Sequence, residues 1–229
     1  DFNPDDEYLQ EIKSPIFYAV QKNINIQTGQ PTILDFDMQR ISQRINIVFN
    51  IRTEGNIKRE DLAAPIIELS GACGRFNIAD ACLDPPRLYR MAHQVQPDEF
   101  TQTGEGTYRC VVHFHTLGVI PSAAKGHLNG PGILQVALQV STPQLDSSGA
   151  PVVDEEGNPV KNSRYIYGAI NPYDELTAAQ LIEVRDGKIY LRYSKEDVNI
   201  EITTPLVIKA DQIVPNDTGM GWQPHDPTN

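Results

Sequence analysis

Apolar and polar side chains alternate with a period of two in several stretches of this chain. In RISQRINIVFNIR (40–52), Ile41, Ile45, Ile47, Phe49 and Ile51 share one parity, while Arg44, Asn46 and Asn50 take the other. A helix would set Ile45 and Ile47 about 200° apart and waste the pattern; a strand points every one of these side chains the same way. The period returns in TYRCVVHFH (107–115), GILQVALQV (132–140), KIYLRY (188–193) and VNIEI (198–202). Pro- and Gly-rich turns separate these short runs, which predicts an all-β fold, an antiparallel β-sandwich.

PIFYAVQKNINIQTGQPTILDFDMQ (15–39) reads as two more strand-like runs. Ile24 and Ile26 alternate with Asn23, Asn25 and Gln27, and Thr28-Gly29-Gln30-Pro31 supplies a turn. Helices are expected to be few and short, one or two at most. KREDLAAPI (58–66) is cut by Pro65, and PYDELTAAQLIEV (172–184) is the better candidate, with Leu176, Ala179 and Leu181 available for packing.

The phrase LDSSGAPVVDEEGNPVK (145–161) repeats itself, with Asp146…Gly149 and Asp154…Gly157. Asp at the first and Gly at the fourth position is the type I turn preference, because the carboxylate bonds the turn's own backbone N–H groups. The stretch therefore predicts two successive turns on a protruding hairpin. It lacks the ligand spacing of a calcium loop.

Composition narrows the function classes. The chain has 229 residues, 40% of them hydrophobic, enough for one substantial core. Its net charge of −11 repels phosphate backbones and anionic lipid, so nucleic-acid binding is not expected. No run approaches 18 apolar residues. The opening DFNPDDEYLQ, with neither signal peptide nor initiator Met, reads as a mature or trimmed chain. Of Cys73, Cys82 and Cys110, an odd count, Cys73 and Cys82 bracket the loop CGRFNIADAC, which suits either a disulfide or two small core residues.

Catalytic chemistry finds little to stand on. His113 and His115 share a strand face, where two imidazoles at i, i+2 suit a transition metal, with His93 and His127 elsewhere in the chain, but H-E-x-x-H is absent. There is no G-x-S-x-G, no Walker loop and no dinucleotide fingerprint; GHLNGPG (126–132) reads as a plain loop. No catalytic residue, metal or cofactor is expected. PPRLYRMAHQV (85–95) concentrates Arg87, Tyr89 and Arg90 in an acidic chain, a candidate ligand patch, or simply an amphipathic strand. Trp222, the one tryptophan, sits in the Gly/Pro-rich tail IVPNDTGMGWQPHDPTN as a candidate docking anchor or as a cover for the sandwich end.

Several of these segments resemble a known family. The run from Pro15 through Met38-Gln39-Arg40 to Arg44 and Ile45 is similar to the domain junction of Bacteroidota fimbrillin-type proteins. PIIELSGACGRFNI (65–78), VVHFHTLGVI (111–120) and TGMGWQP (218–224) resemble later segments of the same proteins, nearest the anchor or minor-subunit branch. The resemblance implies transthyretin-like β-sandwich domains, export through the periplasm to the cell surface and outer membrane, and a lipid anchor that this stretch does not carry. It implies a non-enzymatic fimbrial anchor or accessory subunit assembling by β-strand complementation.

On that reading residues 1–40 are a lead-in and closing strands of an N-terminal β domain, 41–216 the sandwich and 217–229 the tail. The expected partners are other fimbrial subunits or the chain's own N-terminal domain, and a host protein or glycan. The expected sheet edges are 41–51 and 198–208, with Ile45, Ile47, Phe49, Val198, Ile200, Ile202 and Trp222 as partner-binding residues. Two other readings remain: a glycan-binding surface lipoprotein with an aromatic platform of Tyr89, Tyr165, Tyr167 and Trp222, and a metal-dependent hydrolase.

Overall fold

The computed structural model describes residues 8–55, 57–85, 87–192 and 197–209. In chain order the elements are β1 (Phe17–Tyr18), β2 (Gln39–Arg40), β3 (Gln43–Glu54), β4 (Ile66–Cys73), β5 (Phe76–Asn77), β6 (Cys82–Leu83), β7 (Leu88–Gln94), β8 (Phe100–Gly104) and β9 (Thr107–Thr116). They continue with β10 (Leu134–Pro143), β11 (Lys161–Ile170), α1 (Tyr173–Ala178), β12 (Ile182–Arg185), β13 (Lys188–Leu191), β14 (Val198–Glu201) and β15 (Leu206–Lys209). A 3-10 turn spans Arg59–Asp61.

Two sheets face each other. One has the order β14–β3–β9–β8, with β15 also on β3, and the other β11–β10–β4–β7. The alternation read from sequence decides which side chains meet between them. Ile45, Ile47, Phe49 and Ile51 of β3, Cys110 and Val112 of β9, and Leu134, Val136, Leu138 and Val140 of β10 expose no surface and form one core cluster. Each such side chain contributes about 1.5–3 kcal/mol on leaving water. A small third sheet, β12–β13–β6–β5, closes one end of the sandwich over a second cluster of Tyr18, Ile41, Cys73, Leu83 and Leu191.

The all-β sandwich agrees with the periodicity; several details differ. β3 is not a sheet edge. It pairs antiparallel with β9 along Gln43–Arg52, and its other side carries β14 and β15. Ile45, Ile47 and Phe49 are therefore core residues of an interior strand, and the 41–51 edge is corrected. β14 and β15 run parallel to β3, so the sheet is mixed, not wholly antiparallel. The helix in 172–184 shortens to six residues, because Gln180 turns the chain at φ +49° and starts it toward β12.

Residues 15–39 form no long strands. Only the two-residue β1 and β2 pair, at the base of an extended arm, and a turn closes where Gln30 N–H donates to Gln27 O at 3.4 Å. The lead-in before it lies on the sandwich: Leu9 N–H donates to Arg90 O at 2.8 Å and Ile12 N–H to His115 O at 2.9 Å.

Candidate functional site

The segment Val198–Lys209 is the outer edge of the first sheet. Val198 and Ile200 sit in parallel register with Ile45 and Ile47, and Leu206 and Ile208 with Ile51 and Thr53. Between the two short strands Ile202 N–H donates to Val48 O at 2.8 Å, and Thr203-Thr204-Pro205 passes without pairing. Pro205 has no N–H to offer a ladder, which explains the break. Ile200, Ile202 and Ile208 are all buried in the main core cluster, while Asn199, Glu201 and Lys209 face water. Leu206 lies against Gly168 of β11, so the segment also closes the seam between the two sheets; a Cβ at Gly168 would come within 2.8 Å of the leucine. The edge is thus built from backbone bonds on one flank and side-chain plugs beneath. Trp222, and the rest of the tail, lie outside the described residues.

The arginine–tyrosine patch is dismantled by the fold. Tyr89 points into the core, and the Arg87 guanidinium lies 4.9 Å above its ring. Arg90 reaches Glu68 Oε2 at 3.5 Å and Gln135 Oε1 at 3.3 Å. Glu68 is a carboxylate with 1% of its surface exposed, and it also accepts from Tyr8 Oη–H at 2.8 Å. The patch is a structural network, and the tyrosine platform is corrected with it. Among the described residues of that platform, Tyr165 and Tyr167 stay together, their rings stacked at 6.2 Å on β11. The sequence carried no signal for Glu68: a lone acid in IIELSG gives no hint of its partners.

His113 and His115 do not converge. His115 is buried, its Nε2 2.9 Å from Ser42 Oγ, and burial lowers its pKa from the ordinary value. His113 Nδ1 lies 2.8 Å from Asn46 Oδ1, and Asn46 Nδ2 donates to Asn199 Oδ1 at 2.9 Å. That second bond fixes the amide orientation, so Asn46 Oδ1 accepts the His113 Nδ1 proton. His113 Nε2 then faces Glu99 Oε1 at 3.4 Å, and His93 Nε2 faces Glu99 Oε2 at 3.0 Å. Glu99 ends the passage from β7 to β8, immediately before Phe100, and links His93 of one sheet to His113 of the other. Among the described residues no group of three or more His, Cys, Asp or Glu side chains is arranged to hold a metal ion.

Asp146 Oδ1 accepts from Ser148 N, Ser148 Oγ and Ala150 N, and Asp154 Oδ1 accepts from Glu156 N and Asn158 N. Both carboxylates serve their own turns, as the repeat predicted, and bonds from Ser148 and Asn158 hold their pKa values below the ordinary range. Cys73, Cys82 and Cys110 are buried thiols with no disulfide, so the 73–82 bridge is corrected to the core-residue reading. Burial pushes the Cys73 thiol up to about 12.

No family model matches the chain, and no curated protein or solved structure does either. The site must therefore be judged on its own geometry. What that geometry offers is backbone pairing and apolar plugs at one sheet edge, not a converging set of nucleophile, base and oxyanion donors.

The Glu99 clasp yields a pH prediction. Burial opposes ionisation of Glu99, yet the Gln96 N–H, the His93 hydrogen bond and the two imidazoles outweigh it and lower the carboxyl below its ordinary 4.5. A depressed folded-state pKa contributes stability that is present above 4.5 and lost as pH falls through the lower, folded value. Glu99→Gln is expected to flatten that acid limb. Urea midpoints compared from neutral pH down to pH ~3 check it, and unchanged slopes would mean other carboxylates carry the acid sensitivity.

Proposed function

We propose that this chain is a non-enzymatic structural or adhesive protein of the cell surface, an anchor or accessory fimbrial subunit that assembles by β-strand complementation. The observation that carries the reading is the C-terminal edge segment. Residues 198–209 contribute three core isoleucines, yet their described ladder bonds all go to one strand, β3. A short parallel edge of this kind is held largely by its plugs, and the slot it fills would accept the same segment from another molecule. The loose likeness of residues 15–51 and 65–78 to fimbrillin-type proteins points the same way. On this reading the partners are fimbrial subunits, and export to the outer membrane is expected.

The test is refolding at high protein concentration, followed by light scattering. Strand exchange is expected to give swapped oligomers. Excess synthetic peptide Asp197–Lys209 is expected to convert them into monomers carrying one peptide. A chain that refolds only to monomer at every concentration, and takes up no peptide, would defeat the proposal.

A further inference from the structure

The sheet β11–β10–β4–β7 has an outer face as well as a core face. The alternation that buries Val136, Leu138 and Ile166 in the core turns Ala137, Gln139, Tyr165 and Tyr167 the other way. Across the strands Gln139 stands in register with Tyr165, and Ala137 with Tyr167 on one side and Ile66 on the other. Ile66 is in turn opposite Gln94 of β7. The two tyrosines are half-buried, with ring centroids 6.2 Å apart and planes 24° from parallel. Between Tyr165 and the end of β7 lies an open groove of about 300 Å³, lined also by Ile66, Gln94, Gln96, Pro97 and Gln139. That volume is at the small end of ligand sites, and it suits one sugar-sized ring.

The chemistry of the lining is selective. Charged residues make up 21% of the chain, yet among the described residues none lines this groove. Its polar groups include three primary amides. Gln94 Nε2 donates to Ala64 O at 3.4 Å and Gln96 Nε2 to Gln94 O at 3.0 Å, so both Oε1 acceptors are uncommitted among the described residues. The Gln139 side chain is bonded at neither end there. An amide offers donors and an acceptor together, the complement of a hydroxyl, which also does both. Beside the amides stands an aromatic ring, whose negative face attracts C–H groups polarised by attached oxygen. An anion finds no cation in this lining, and a purely apolar ligand would strand the amides. An extended peptide finds no ladder, because β10 and β4 beneath the groove are each paired on both sides.

We infer that this face binds a neutral saccharide. One sugar ring packs on Tyr165 with its hydroxyls bonded to Gln139, Gln94 and Gln96, and the chain continues past Tyr167. Tyr89 has no part in the site. The inference goes beyond the assembly reading and does not depend on it, since the C-terminal edge segment pairs in the other sheet.

The experiment is affinity electrophoresis of native full-length protein in gels cast with one polymer each. Hydroxyethyl cellulose, mannan, galactan and glycogen are the neutral probes, and polygalacturonate is the charged counterpart. Retardation by at least one neutral polymer and none by polygalacturonate is expected. With the polymer that binds, Tyr165→Ala should raise the dissociation constant roughly thirtyfold, as loss of a central aromatic contact does. Tyr165→Phe keeps the ring and should stay within about threefold of wild type. Gln139→Ala should weaken binding roughly fivefold, the loss of one hydrogen-bonding group. Its side chain bonds nothing among the described residues, so an unchanged melting curve is expected, and this variant decides the matter if Tyr165→Ala disturbs β11. No retardation by any neutral polymer, retardation by polygalacturonate alone, or wild-type affinity in both Tyr165→Ala and Gln139→Ala overturns the inference. A proline decamer that binds where no polymer does would make the face a peptide groove and overturn it as well.

Discussion

Arg90→Met is expected to destabilise the fold by roughly 2–3 kcal/mol, measured as a lower urea midpoint at neutral pH. The substitution keeps the apolar stem and removes only the guanidinium. Glu68 is then left with its carboxylate 1% exposed and without the cation 3.5 Å from Oε2. Stranding a buried charge costs about 3–5 kcal/mol when the pair is fully enclosed. Here the Arg90 side chain is 34% exposed, so water screens part of the interaction and the lower figure applies. The double variant Arg90→Met/Glu68→Gln should recover most of the loss, because the neutral amide no longer needs a cation. A midpoint unchanged in Arg90→Met would mean that the other partners of Glu68, among them the Tyr8 hydroxyl 2.8 Å from Oε1, are enough to hold it.

Gly71→Ala should cost still more, about 3–4 kcal/mol, because strain and overpacking add. Gly71 sits at the register shift in β4, between Ser70 and Ala72, with φ +88°. A Cβ there would stand 2.7 Å from both Gly132 N and Ile120 O. These are backbone atoms that cannot step aside, and they are tied down: Ile120 N–H donates to Gly71 O at 2.9 Å, and Gly132 N–H to Ser70 O at 3.0 Å. Gly29→Ala is the control. Its φ is +81°, yet no atom lies within 4 Å of the added carbon, so it should lose only about 1–2 kcal/mol of backbone strain. Calorimetric melting of the two variants separates the clash from the strain; equal losses would show that β4 shifts to make room.

The sandwich was legible because its long strands are half-buried, and half-burial writes a period of two. The parity assigned to β3 is the one that meets the core, and one parity of the alternation in β9 and in β10 joins it there. The double turn was legible because Asp and Gly at fixed offsets act on their own backbone. Long-range choices were not. RINIVFNI has the same alternation whether its flank is open or covered, so the pattern could not say that β14 and β15 occupy it. PPRLYR gave charge and rings but not direction, and the fold turned Tyr89 inward and gave Arg90 to a buried acid 22 residues earlier. The arm misled in the opposite sense: 15–39 has the alternation of strands, but alternation forms a ladder only where a partner supplies the other half.

The three thiols are spread unevenly through the molecule, and this makes them internal reporters. Cys110 lies in the main core, whereas Cys73 and Cys82 belong to the end closed by the small third sheet. A thiol in such surroundings reacts only when its wall opens. Alkylation followed by mass spectrometry would therefore time two events in one native sample. Modification of Cys73 and Cys82 ahead of Cys110 would mark the end sheet as the first part to detach, and a common rate for all three would mark opening of the whole domain at once.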